Sequence, residues 1–173
     1  MWVFTFGSLM ADGWEKDFDC ISRAQAELLN HRRSFNKKSV KNWGTPEHPG
    51  LTLVLEKAEG ETCTGFAFEF AGDALGEQIR VYLRKREACD PTVLTVRLLD
   101  GTQVQAHAYV YAGKNLLPVG TPLEERARLV LGAAKGSSGT GVDYVQKTFR
   151  ELARAGIDDP VVTALWNSVK PAA

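Results

Sequence analysis

Met1-Trp2-Val3-Phe4-Thr5-Phe6-Gly7-Ser8-Leu9-Met10 opens the chain. Trp2 to Phe6 are all aromatic or β-branched and read as a buried strand, and Gly7-Ser8-Leu9 reads as the tight turn that ends it. Such a turn presents a cluster of backbone N–H groups. It carries chemistry only if another part of the chain supplies a reactive side chain, and Glu87 is the candidate for that part.

Outward from the turn, Met10 to Asp19 is a polar loop in which Trp14 and Phe18 are the expected anchors. Ser22 to Asn30 reads as a short helix, with Ser22 as N-cap and Ala24, Leu28 and Leu29 facing inward. His31 to Val40 reads as a strand carrying Arg32, Arg33, Lys37 and Lys38. Two prolines and two glycines between Trp43 and Gly50 predict a loop. Leu51 to Leu55 is a second strand. Glu59-Gly60-Glu61 reads as a turn into a third, Thr62 to Phe70, whose alternation puts Phe66, Phe68 and Phe70 on one face, a ladder for a core. From Asp73 to Ala88 the period changes: Leu75, Ile79, Tyr82 and Leu83 recur at helical spacing, with Asp73 as N-cap and Glu87 in the last turn. Thr92 to Leu99 and Gln103 to Tyr111 are strands joined by Asp100-Gly101, a hairpin signal. The last third is helical: Thr121-Pro122-Leu123-Glu124 starts one helix with a capping box, Val142 to Ala155 forms the next, and Asp158-Asp159-Pro160 starts a short one through Trp166. Lys135 to Gly141 between them is a glycine and serine loop without the Gly-Lys-Ser/Thr ending of a phosphate loop.

The 173 residues suit a single domain, residues 1–173, able to bury about two-thirds of the surface that the unfolded chain exposes. With 21 basic and 21 acidic side chains the formal charge is zero, so no global attraction to nucleic acid or to an anionic membrane is encoded. The N-terminal apolar run is short for a signal peptide, no stretch approaches a membrane span, and the cytoplasm is the expected setting. Cys20, Cys63 and Cys89 are an odd number at unpatterned spacing, which argues against both a disulfide framework and a metal knuckle and predicts reduced thiols. No metal and no cofactor is called for.

A carboxylate in the final turn of a helix meets the negative end of the helix dipole, which favours its protonated form. A buried Glu87 would then titrate in the range useful for an acid and base, unless Arg84 or Arg86 turned its positive charge toward it. Read alone, Glu87 is better explained as a surface glutamate paired with a neighbouring arginine.

The opening stretch resembles the N-terminal signature of the ChaC-like γ-glutamylcyclotransferases, whose members read Trp-Val-Phe and then Tyr-Gly-Ser-Leu. The similarity continues in order through Arg32-Arg33-Ser34-Phe35, Gly44-Thr45-Pro46-Glu47 with Pro49-Gly50-Leu51, Gly65-Phe66-Ala67-Phe68, Tyr82-Leu83-Arg84-Lys85-Arg86-Glu87, and Gly136-Ser137-Ser138-Gly139 with Asp143-Tyr144-Val145. The resemblance implies an α/β fold of the α+β kind, a small mixed-sheet barrel with surrounding helices, and about six strands and four helices counted from the pattern agree with it. It also implies release of 5-oxoproline from a γ-glutamyl compound, here glutathione or another γ-glutamyl amide. The substrate's own α-amine attacks its γ-carbonyl, so positioning supplies much of the rate and no enzyme nucleophile is needed. Glu87 matches the catalytic glutamate. Phe6, Gly7, Ser8 and Leu9 match the turn that holds the γ-glutamyl group, Ser8 adding a hydroxyl donor, and Arg33 is a candidate to hold a substrate carboxylate or else an exposed partner for a nearby glutamate.

Four positions depart from the family pattern. Phe6 stands where its members carry tyrosine, Trp43 where arginine is usual, Val119 where a tyrosine precedes a glycine, and Cys89-Asp90-Pro91 lacks the tyrosine that follows the glutamate. Changed polar positions in one pocket alter which leaving group is accepted. They also motivate an alternative, a non-catalytic protein that binds γ-glutamyl ligands on the same fold. Nucleic-acid binding through Arg32, Arg33, Lys37, Lys38 and Lys41 is disfavoured by the neutral charge and the lack of an aromatic stacking pattern.

Overall fold

In the computed structural model, which describes residues 1–171 apart from the side chains of Asp73 and Ala74, the opening stretch forms strand β1 (Trp2–Thr5). It is followed by β2 (Ser22–Ser39), β3 (Gly50–Glu69), helix α1 (Asp73–Glu87), β4 (Thr92–Leu98), β5 (Gln103–Ala108) and helices α2 (Leu123–Leu131), α3 (Gly141–Arg154) and α4 (Pro160–Val169). The strands close into a mixed barrel in the order β1-β3-β2-β4-β5. β1 is short but pairs on both sides: antiparallel with β3, Thr5 opposite Phe66, and parallel with β5, Val3 opposite His107.

Two expectations about strands are overturned. Ser22 to Asn30 is strand, continuous with the strand expected from His31, because Ala24, Ala26 and Leu28 also alternate; Ala26 and Glu27 pair with Leu98 and Arg97 of β4. Cross-strand pairing outweighs the helical propensity of Ala, Glu and Leu. Ser22 caps nothing and instead donates from Oγ to Glu69 Oε2 at 2.8 Å, while Leu29 is exposed. Nor does Gly60 turn the chain: β3 runs through it with φ +76°, its N–H donating to Asn30 Oδ1 at 3.0 Å, and Asn30 on β2 is left-handed as well (φ +56°). Thus two long strands replace a helix and three strands.

The helices keep their places and change their caps. Gly72, not Asp73, is the N-cap of α1, and Pro122, not Thr121, that of α2, where Thr121 Oγ1 donates to Pro118 O at 2.7 Å. The capping box forms instead at α3, between Thr140 and Asp143. Asp159 caps α4, accepting from the N–H groups of Val161 and Val162, both at 3.1 Å.

By their contacts the residues form two compact units, each drawn from two stretches of chain: Met1–Arg32 with Leu55–Ala112, and Arg33–Val54 with the chain from Gly113 onward. The first unit has two cores. Phe4, Ala26, Leu28, Leu55, Cys63, Ala67, Val96, Ala106 and Ala108 come from all five strands and fill the barrel interior. On the opposite face Val3, Phe68 and Phe70 pack against Ile79 and Leu83 of α1, with Leu9, Trp14 and Tyr109, and Phe66 packs on the same cluster. The phenylalanine ladder is therefore core, as its alternation predicts, and it is what binds α1 to the sheet. In the second unit α2, α3 and α4 pack on one another. Tyr144 of α3 meets Phe35 edge-on and Trp43 at 5.2 Å between ring centres, and its hydroxyl accepts from the Leu53 N–H at 3.2 Å.

Among the described residues no helix is long and apolar enough to cross a membrane, and no group of three or more His, Cys, Asp or Glu is placed to hold a metal ion. None of Cys20, Cys63 and Cys89 forms a disulfide.

Candidate active site

After Thr5 the chain leaves the sheet through Phe6 and Gly7 into a single 3-10 turn, Ser8–Met10, closed by the Met10 N–H on Gly7 O at 2.9 Å. Gly7 has φ −136°, so handedness does not require glycine here. In such a turn the N–H groups of Ser8 and Leu9 precede the first intraturn bond and have no acceptor within it. Three contacts fix the turn. Trp14 Nε1 donates to Leu9 O at 3.0 Å, Arg23 Nη2 donates to Met10 O at 2.9 Å, and the Arg23 guanidinium lies 3.7 Å from the centre of the Phe66 ring. Gly65 is the residue that lets β3 come this close, since a Cβ built on it would sit 2.1 Å from Thr5 O.

α1 reaches the same core from its other end. Ile79 and Leu83 are buried beside Leu9 and Trp14, and Cys89, just past the helix, packs on that cluster too. Glu87 is the last helical residue, and the helix stops because Ala88 turns left-handed (φ +57°), its N–H returning to Arg84 O at 2.9 Å. The Glu87 side chain is 27% exposed. Arg86 Nε lies 3.6 Å from Glu87 Oε1, so Arg86 is the opposing charge weighed above against the helix dipole. Arg84 turns the other way, its Nε 2.6 Å from Asp90 Oδ1. Arg86 is also held by two partners: Nη2 donates to Asp12 Oδ2 in the loop after the turn, and Nη1 to the Tyr82 hydroxyl at 3.3 Å. Burial works against the Arg86 charge, yet these bonds, with the charges of Asp12 and Glu87, leave the guanidinium above its ordinary value.

Phe6, Gly7, Ser8, Leu9 and Glu87 all belong to the first unit. Arg33 falls in the second, buried to 1% exposure, its Nη1 donating to Asp159 Oδ2 at 2.8 Å. The expectation of an exposed partner for a glutamate is therefore corrected: the side chain is buried and the carboxylate is the aspartate that caps α4. The neighbouring Arg32 is the exposed one, paired with Glu56 and Glu61 at 3.3 and 3.2 Å. Of the other departing positions, Trp43 packs on Tyr144 and Val119 is fully exposed, both in the second unit. Burial and the Glu15 charge push the Cys20 thiol up.

Sequence reasoning passed over two residues of this region. Asp12 sat in a stretch read only as loop, although a residue with turn preference beside a glycine was the available signal. Tyr109 was read as one more strand residue; it lies just past β5, 4% exposed, in the core shared by Leu9 and Leu83.

Comparison with known proteins places these features in context. The family model of ChaC-like proteins matches residues 1–172. γ-Glutamylcyclotransferase 2-3 of Arabidopsis thaliana is 30% identical over 186 residues, covering 98% of this chain and 88% of its own. Glutathione-specific γ-glutamylcyclotransferase 1 of Danio rerio is 29% identical, covering 99% and 91%. In fold, a crystal structure of a yeast γ-glutamyl cyclotransferase specific to glutathione matches with a TM-score of 0.81 at 19% identity, over 98% of this chain and 95% of that one.

Proposed function

This chain belongs to the ChaC-like family, and on that premise we propose that it is a γ-glutamylcyclotransferase releasing 5-oxoproline from glutathione, with Glu87 as its acid and base. The observation that carries the reading is that Glu87 ends the helix whose inner face packs on Leu9 of the Gly7-Ser8-Leu9 turn. The glutathione specificity named for relatives from zebrafish and Escherichia coli supports the choice of substrate.

The chemistry asks for few groups. The Glu87 carboxylate takes a proton from the substrate α-ammonium, and the freed amine attacks the γ-carbonyl to close a five-membered ring. The bond from the γ-carbon to the cysteinyl nitrogen then breaks as Glu87 returns the first proton to that nitrogen and relays to it the second, which the attacking nitrogen must lose to become the lactam N–H. The products are 5-oxoproline and cysteinylglycine. While negative charge gathers on the carbonyl oxygen, the N–H groups of Ser8 and Leu9 and the Ser8 hydroxyl are the donors in this reading, with Phe6 and Gly7 shaping the turn. The reducing cytoplasm is the proposed setting, where glutathione is abundant and free thiols persist.

Release of 5-oxoproline from glutathione and from a panel of γ-glutamyl amino acids and amines tests this, with Glu87→Gln as control. The variant is expected to lose about two to four orders of magnitude in rate. Equal rates for variant and wild type would remove Glu87 from its role. The departure at Phe6 favours the second reading, ligand binding without turnover; thermal stabilisation by glutathione with no 5-oxoproline formed would establish that one instead.

A further inference from the structure

We propose that the Tyr109 hydroxyl is a hydrogen-bond donor of this site, kept for an oxygen of the bound γ-glutamyl group. The proposal rests on the reading above and extends it to a residue that neither the turn nor the helix contains.

Register places Tyr109. β1 and β5 run parallel with Trp2 beside Ala106 and Val3 beside His107. Tyr109 follows the last residue of β5, two positions beyond the Val3–His107 pair, toward the end of β1 that gives way to Phe6 and Gly7. Alternation sends Phe4, Ala106 and Ala108 into the barrel and Tyr109 to the other face, with Val3, Leu9, Trp14 and Leu83. Its ring thus joins the turn to the inner face of the helix that ends in Glu87.

Chemistry makes the position unusual. The ring is 4% exposed and its hydroxyl oxygen is buried with no hydrogen-bond partner among the described residues. A purely structural aromatic avoids that cost by being phenylalanine, as Phe68 and Phe70 are in the same cluster. Burial first, then Cys89, push the phenol up to about 12, with Glu87 acting in the same direction against Arg84 and Arg80. At neutral pH it is therefore a neutral donor and no base, suited to a carboxylate or carbonyl oxygen. Phe6, at the head of the turn, brings no hydroxyl of its own.

Tyr109→Phe removes one oxygen and leaves the packing. The expected result is a melting temperature equal to or above wild type, together with kcat/KM for glutathione lower by about tenfold to a hundredfold. That loss should be constant from pH 6 to 9, because the phenol does not titrate there. Wild-type activity abolished in Glu87→Gln but unchanged in Tyr109→Phe would overturn the role of Tyr109 and leave the proposed function standing. If the wild type forms no 5-oxoproline, calorimetric titration with glutathione decides: weaker binding to Tyr109→Phe by the same factor supports the donor, and equal binding, or none to either protein, overturns it.

Discussion

Arg86 of α1 donates to Asp12 of the N-terminal loop across 74 residues of sequence, and the same guanidinium lies 3.6 Å from the carboxylate of Glu87. One side chain therefore fastens the loop that follows the Gly7-Ser8-Leu9 turn to the last turn of the helix. Asp12 is fastened in its own right, since its Oδ1 accepts from the Trp14 N–H at 3.2 Å and Trp14 in turn holds Leu9 O. An ion pair from Glu87 to Arg86, followed by the hydrogen bonds that join Arg86, Asp12, Trp14 and Leu9, links a carboxylate to a backbone turn.

Cutting that link is expected to lower activity more than stability. Asp12→Asn leaves a pair whose members are 17% and 30% exposed without its charge, at a cost of about 1 kcal/mol, while a carboxylate displaced by a fraction of an ångström loses about tenfold in kcat/KM. Denaturant melts and 5-oxoproline assays on Asp12→Asn and on Arg86→Gln measure both quantities. Full activity in the two variants would show that the tie is structural only.

Glu87→Asp keeps an acid and withdraws it by one methylene. Turnover is expected to fall by about a hundredfold while folding is unaffected, because the side chain is at the rim of its cluster. Wild-type turnover in this variant would mean that the position of the carboxylate is not what limits the rate.

Arg33→Met leaves Asp159 charged and short of its partner, and breaking a buried pair of this kind costs about 3–5 kcal/mol. For a chain of this length the melting temperature should drop by on the order of 10 °C. A drop of a degree or two would show that the Arg33–Asp159 pair is not held for stability.

Asp143 supplies a pH test of the α3 cap. Its carboxyl is held below the usual carboxylate range by the Thr140 N–H first and then by the Thr140 hydroxyl. A lowered folded-state value contributes stability above the unfolded value of about 4, and the contribution disappears as the pH falls through the folded value. Asp143→Asn should therefore be less stable than wild type at pH 7, the two converging in melts as the pH is taken down through the folded value of Asp143. Thr140→Ala should cost about 1 kcal/mol at neutral pH. Equal pH dependence in Asp143→Asn and wild type would remove the carboxylate from the cap.

Much of the fold was legible because apolar spacing is local. β1, the phenylalanine ladder, α1 and the Asp100-Gly101 hairpin follow from period and turn chemistry. The region from Ser22 to Asn30 did not, because Ala, Glu and Leu suit a helix and only pairing with β4 makes them strand. Gly60 misled for a related reason: a left-handed glycine kinks a long strand as readily as it ends one. In the site, Glu87 and the turn could be matched to a family, but Asp12 and Tyr109 acquire meaning only from partners, or the lack of one, far away in sequence. Arg33 shows the opposite error: a cation in a basic run is the most buried of them, and the acid that neutralises it lies 126 residues on.

The two compact units also set an order in time. Every residue of the first has been synthesised once Ala112 is added, whereas the second must hold Arg33–Val54 in waiting until the helices from Leu123 onward are made. The nascent chain therefore carries Arg33–Ser39 of β2 and Gly50–Val54 of β3 ahead of the helices of their own unit for the length of the last third. Chains stalled once Ala112 has cleared the ribosome, but before the last helices are made, should resist protease at Phe68 and Leu83 while remaining open to cleavage between Phe35 and Leu53, a window in which a chaperone has something to hold.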